Sequence, residues 1–203
     1  MIQFVTRDVE KIAAFVFEVP ETDRLALRAR LENLRKKGCP QGLATGRGKV
    51  ARFDFEQLTD LAIALALIDA GFSPDHAVTA VEDIDNPVGE FFGVLAQQKL
   101  SPDQLTAALS KGEWPVRRSV TAWCYMHRLL SEPRDLGVPV ATWILVHSSG
   151  VRQSANVPIS AVCIDVGALF VKLANAMSYS TEFDAVEMAF SLLARAEQYV
   201  VNP

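Results

Sequence analysis

The sequence predicts an α+β protein with a mainly helical part to residue 84, a helical connector over 85–114 and a small α/β part over 115–203. Three observations predict it. Leucines at helical spacing, each run bounded by capping and stop residues, fill 22–84. Pro87, Gly89, Gly93 and Pro102 then interrupt any long helix. From residue 116 onward, runs rich in β-branched and aromatic residues alternate with turn-rich segments, and two stretches with helical spacing close the chain. Half of the 203 residues are apolar and 22% are charged, which excludes a disordered chain. The longest apolar run, Leu61–Ile68, is far short of the about 20 residues a membrane-spanning helix needs, so no membrane partner is expected.

Taken in order, Met1–Val19 is apolar-rich and allows helix or strand. Pro20-Glu21-Thr22-Asp23 predicts a helix start with Thr22 or Asp23 as N-cap, running to about Lys37 and stopping at Gly38, with Pro40 beyond. At 100° per residue, Leu27, Leu31 and Leu34 fall within about 60° of one another and form one buried stripe. Arg24, Arg28 and Arg35 fall within about 40° directly beside it. In Leu43–Phe53, Gly46 and Gly48 bracket Arg47 ahead of a short alternating segment, the pattern of a hairpin with a basic tip. Asp54 or Phe55 begins a helix that is apolar nearly all round, which places it at the centre of the fold or in an oligomer interface. Gly71 ends it, and Ser73-Pro74-Asp75 opens the next. Ser101-Pro102-Asp103 opens another. Val116–Leu130, Val138–Val146 and Val157–Ile164 are strand candidates, and 166–178 and 182–200 are helical.

Charge is distributed unevenly. The net charge is −4, yet residues 1–52 carry +5 and residues 53–203 carry −9. Residues 24–52 hold nine basic residues against one acid, Glu32. A basic block on an acidic protein is a localised footprint suited to a polyanion; a solvated amphipathic helix is the alternative.

The stretch 22–84 resembles the winged helix-turn-helix of the MerR family. The resemblance rests on DRLALRARLENLRKKGCPQG followed by GRGKVARFDFEQLTDLAIALALIDAGFSPDHAV. Arg52-Phe53-Asp54 stands where the family's wing passes into the next helix, and Gly71-Phe72-Ser73-Pro74 where that helix turns into a short one. Residues 1–84 would then be a winged helix-turn-helix DNA-binding domain. Met1–Val19, where the family has its opening helix, matches it poorly. The resemblance implies that Arg24, Arg28 and Arg35 enter the major groove, where Arg reads guanine in a bidentate manner. Arg47 and Lys49 would touch backbone or minor groove from the wing, with Arg52 at its base, while Arg30, Lys36 and Lys37 would meet phosphate or solvent. The expected function is a sequence-specific transcriptional regulator acting on double-stranded DNA as a homodimer. Because Pro87 and Pro102 exclude the family's long dimerisation helix, residues 115–203 would dimerise or sense a protein partner or small-molecule effector. A fragment ending near residue 114 is then expected to be monomeric.

No catalytic or metal constellation is expected, and no cofactor. Cys124-x-x-His127 has zinc-like spacing, but on a strand residues three apart face opposite ways. Gly46-Arg47-Gly48-Lys49 lacks the spacing of a P-loop. His147-Ser148-Ser149-Gly150 reads as a polar turn. Three cysteines, Cys39, Cys124 and Cys163, with no export signal, read as reduced thiols in a cytoplasmic protein. The alternative function is a small-molecule-binding or enzymatic C-terminal part with a basic N-terminal appendage.

Overall fold

The computed structural model describes residues 3–43, 50–82, 92–93, 95–111, 120–126, 141–147, 161–180 and 185–201. The described chain is mostly helical, with two small antiparallel sheets, consistent with an α+β fold.

The N-terminal residues, open to helix or strand from sequence, are both in turn. Strand β1 (Phe4–Val5) runs straight into helix α1 (Thr6–Val16), whose first turn is held by the Val5 N–H donating to Asp8 Oδ2 at 3.2 Å. Helix α1 buries Val9, Ile12, Ala13, Ala14 and Val16. It stops at a residue that gives no sequence signal. Glu18 adopts φ 52°, the Glu18 N–H donates to Phe15 O, and the Val19 N–H donates to Ala14 O at 2.9 Å. That is the closure a helix normally makes on glycine.

A single 3-10 turn, Glu21–Asp23, leads into α2 (Arg24–Lys36). Asp23 stands at the N-cap position, but its side chain caps nothing and accepts instead from Thr22 Oγ1 at 3.1 Å. Leu27, Leu31 and Leu34 are the buried stripe, as the periodicity predicts. Gly38, at φ 90°, lets the chain turn so that the Cys39 N–H reaches Leu34 O. Strand β2 (Arg52–Phe53) pairs antiparallel with β1, Phe4 opposite Phe53 and Val5 opposite Arg52. Both phenylalanines are buried, and Arg52 is exposed on the other face. Residues 44–49, and with them the expected hairpin tip with Arg47 and Lys49, lie outside the described residues.

Helix α3 (Phe55–Asp69) starts on a complete capping box. Asp54 Oδ1 accepts from the Gln57 N–H at 2.8 Å, and Gln57 Oε1 accepts from the Asp54 N–H at 3.1 Å. Its all-round apolar sequence corresponds to a central position: Leu58, Leu61, Ile63, Ala64 and Leu67 are essentially inaccessible. The one buried polar residue on it, Thr59, donates its hydroxyl to Phe55 O at 2.9 Å. Gly71 closes α3 as Gly38 closes α2, and α4 (Pro74–Glu82) follows, with Ser73 Oγ accepting from the His76 N–H.

Residues 92–93 and 95–97 are helical, and α5 (Pro102–Ser110) has a capping box between Ser101 and Gln104. Strands β3 (Val120–Met126), β4 (Ala141–His147) and β5 (Ala161–Asp165) then form an antiparallel sheet in the order β4-β3-β5, with Val120 opposite His147 and Thr121 opposite Asp165. Helix α6 (Val166–Ser180) leaves β5 without a connecting loop, and α7 (Ala185–Val201) follows.

The core is continuous from Phe4 to Ala196. Helix α6 packs on both α1 and α3, and α7 packs on α5. Phe55 stacks on Phe170 of α6 with ring centroids 5.5 Å apart and meets the edge of Phe92 at 5.7 Å. Ion pairs add Lys172 on α6 with Glu18, just past α1, and Arg195 on α7 with Glu56 at the start of α3.

Candidate nucleic-acid interface

The basic edge of α2 follows from its apolar edge. With Leu27, Leu31 and Leu34 fixed inward, residues 24, 28 and 35 must lie along the rim of the buried face. Arg28 is 64% exposed at its side chain, whereas Arg24 and Arg35 are half-buried.

Each of these arginines has a definite partner. The Arg28 guanidinium forks onto Glu10 of α1, Nε to Oε2 at 2.9 Å and Nη2 to Oε1 at 3.0 Å. That hydrogen bonding, and then the carboxylate's charge, raises the Arg28 pKa above its ordinary value. Arg24 Nε lies 3.5 Å from Glu21 Oε2, too long for a hydrogen bond. Arg35 spreads over the ring of Phe53, 5.9 Å from its centroid, so β2 supports the last turn of α2 from below. The Nε atoms of Arg24 and Arg35 have no hydrogen-bond partner among the described residues. Arg52 donates from Nη1 to Gln3 Oε1 at 3.4 Å across the β1–β2 pair.

Two lysines of the block are also compensated. Lys36 pairs with Glu32 one turn back at 3.0 Å, and the hydrogen bond from Lys36 lowers the Glu32 pKa. Lys37 pairs with Asp75 at the start of α4. The sequence window 24–52 contains a single acid, but the fold brings Glu10, Glu21 and Asp75 against it. The local field is therefore weaker than the linear count of charge suggests.

Three exposed cations on α1 and α2 have no hydrogen bond or ion pair among the described residues: Arg7, Lys11 and Arg30. Arg7 and Lys11 belong to α1, within the stretch Met1–Val19 that by sequence allows helix or strand. Their signal in the sequence is the spacing of Val9, Ile12, Ala13 and Val16, which sets Arg7 and Lys11 outside a buried helical face.

Beneath this surface lie two titratable groups that belong to the core. Cys39 is buried where the chain leaves α2, and burial, with the charges of Asp60 and Glu82, pushes its thiol up to about 12. At neutral pH it is protonated and a poor nucleophile. Asp60, half-buried on α3, is pushed up to about 6 by burial and by Asp54. Among the described residues no group of three histidines, cysteines or carboxylates is arranged to hold a metal ion. No described helix is long and apolar enough to cross a membrane. The chain matches no family model, no curated protein and no solved structure.

Proposed function

We propose that this chain is a sequence-specific DNA-binding regulator of transcription, not an enzyme, acting in the cytoplasm as a homodimer on double-stranded DNA. One observation carries the reading. A basic edge on α2, with Arg28 exposed and Arg24 half-buried, lies along a buried leucine face, beside α1 and a strand pair that carries Arg52. The order strand, helix, helix, strand, helix, helix over residues 4–82 supports a winged helix-turn-helix, in which α2 lies in the major groove. Arg24 and Arg28 would then face DNA from α2, with Arg35 beside them over Phe53, while Arg30, about 160° round the helix from Arg28, would meet phosphate or solvent. Arg7 and Lys11 would meet phosphate from α1, and Arg52, with Arg47 and Lys49, would approach from the wing. Phosphate competes with Glu10 and Glu21 for Arg28 and Arg24, exchanging one charge-assisted partner for another.

The test uses the full chain. A duplex enriched from a random library should bind parent protein with an affinity that falls steeply between about 50 and 200 mM salt. Arg24→Ala with Arg28→Ala should abolish specific binding, with an unchanged circular dichroism spectrum. No enrichment, or unchanged affinity in the double variant, refutes the reading. A second reading, small-molecule binding by the C-terminal part, is favoured by a cavity of about 430 Å³ between the start of α3 and α7.

A further inference from the structure

We propose that the cavity between the start of α3 and α7 is a binding site for an uncharged, largely apolar small molecule. Its walls come from parts of the chain far apart in sequence. Phe4 of β1, Phe55 of α3, Phe92, and Met188 and Phe190 of α7 all line it. The volume, about 430 Å³, falls within the range of small-molecule sites.

The buried part of the lining is built rather than incidental. Phe4, Phe92 and Met188 are at most 1% exposed, and Phe55 is fixed between Phe92 and Phe170 by ring contacts at 5.7 and 5.5 Å. Rings so held keep the space open without rearrangement, which lowers the cost of binding. The mouth is different. Phe190 is 57% exposed on its rim. A large ring left in water at the entrance of an aromatic cavity gains by being covered, and an apolar ligand covers it.

The chemical class follows from the charges. Two charged partners line the cavity, Glu56 and Arg195, and they pair with each other. Asp54, the third charged group on the wall, is engaged as the N-cap of α3. A ligand carrying a carboxylate or an ammonium would compete with Glu56 or Arg195 for an existing ion-pair partner in a partly dehydrated site. An uncharged ligand leaves the pair intact. The inference stands apart from the DNA reading, because binding can be measured with no DNA present.

Two fluorescent probes with one ring skeleton separate the outcomes: N-phenyl-1-naphthylamine, which is uncharged, and its 8-sulfonate, which is anionic. Titrated into the full chain, the uncharged probe should bind saturably at one per chain, about tenfold more tightly than the sulfonate. Phe190→Ser removes the rim, and Ala194→Trp, at an exposed lining position, fills the mouth. Neither touches the core, and each should weaken the uncharged probe about tenfold while leaving the melting temperature within a few degrees. Absence of saturable binding, or binding indifferent to both substitutions, overturns the site. Sulfonate binding as tight as that of the uncharged probe overturns the assigned class, because it requires Arg195 to accept an anion in place of Glu56.

Discussion

Asp60→Asn should stabilise the protein at neutral pH and leave it unchanged at pH 4. Asp60 sits on α3, a helix covered on nearly every side, and its carboxyl titrates near 6 instead of 3.8 because burial and Asp54 oppose its charge. The folded state therefore holds this proton more tightly than the unfolded chain. Between about pH 4 and pH 6 unfolding releases the proton, so stability falls as pH rises through that window and is level above it. At about 1.4 kcal/mol per pH unit the gap corresponds to about 3 kcal/mol, a ceiling that water reaching part of the carboxylate reduces. Asparagine keeps the shape and removes the charge. Urea unfolding followed by circular dichroism at pH 4, 5, 6 and 7 should give a difference between variant and parent that grows from near zero to about 2–3 kcal/mol. Groups common to both chains cancel in that difference, including Glu32, whose lowered pKa tilts stability the other way. A difference that is flat across the window would show that Asp60 ionises normally, and the account of its burial would fail.

Two further outcomes test the helix start and the basic edge. Asp54→Ala removes the side-chain cap of α3 and should cost about 1 kcal/mol, seen as a melting temperature lower by about 2–4 °C; an unchanged melt would mean the capping box contributes nothing. Glu10→Gln frees the Arg28 guanidinium from its forked partner, so DNA affinity should rise and the slope of log affinity against log salt should steepen by about 0.9 in a fluorescence anisotropy titration; weaker binding would show instead that Glu10 positions Arg28.

Local chemistry was legible in the sequence where one residue type suffices to state it. Gly38 and Gly71 mark helix ends because both sit at positive φ, and Asp54 with Gln57, and Ser101 with Gln104, mark helix starts by reciprocal hydrogen bonds. The three strands and the two last helices also follow their residue patterns, with bounds that differ by a few residues. Helix α1 was obscured because Glu18 occupies the left-handed position that glycine usually takes. Strand β1 was obscured because two residues carry no pattern; it exists through pairing with β2, nearly fifty residues away. The candidate interface was hidden in the same way. A run of basic residues is visible in the sequence, but Glu10 and Asp75 reach Arg28 and Lys37 only once α1, α2 and α4 have packed. Asp60 did leave a signal: a carboxylate on a helix apolar all round meets protein wherever it points.

Two ion pairs made by the C-terminal helices say how those helices bear on the basic edge. Lys172 of α6 donates to Glu18 Oε1 at 3.1 Å and to Val16 O at 3.4 Å, at the end of α1 where the chain turns toward α2. Arg195 of α7 holds Glu56, at the start of α3 where the chain leaves β2. Helix α2 lies between these two points in the chain, and its own apolar stripe belongs to the core that α6 shares. A rotation of α6 would thus bear on the Glu18 end, and one of α7 on the Glu56 end, of the segment that carries Arg24, Arg28, Arg30 and Arg35. The same packing changes the meaning of a fragment cut near residue 114. Such a cut removes α6 from α1 and α3 and uncovers apolar surface that no surface designed by the sequence pattern alone would leave exposed. Self-association of that fragment would report the uncovered core, so the oligomeric state has to be read on the full chain, with exposed positions as the only variables.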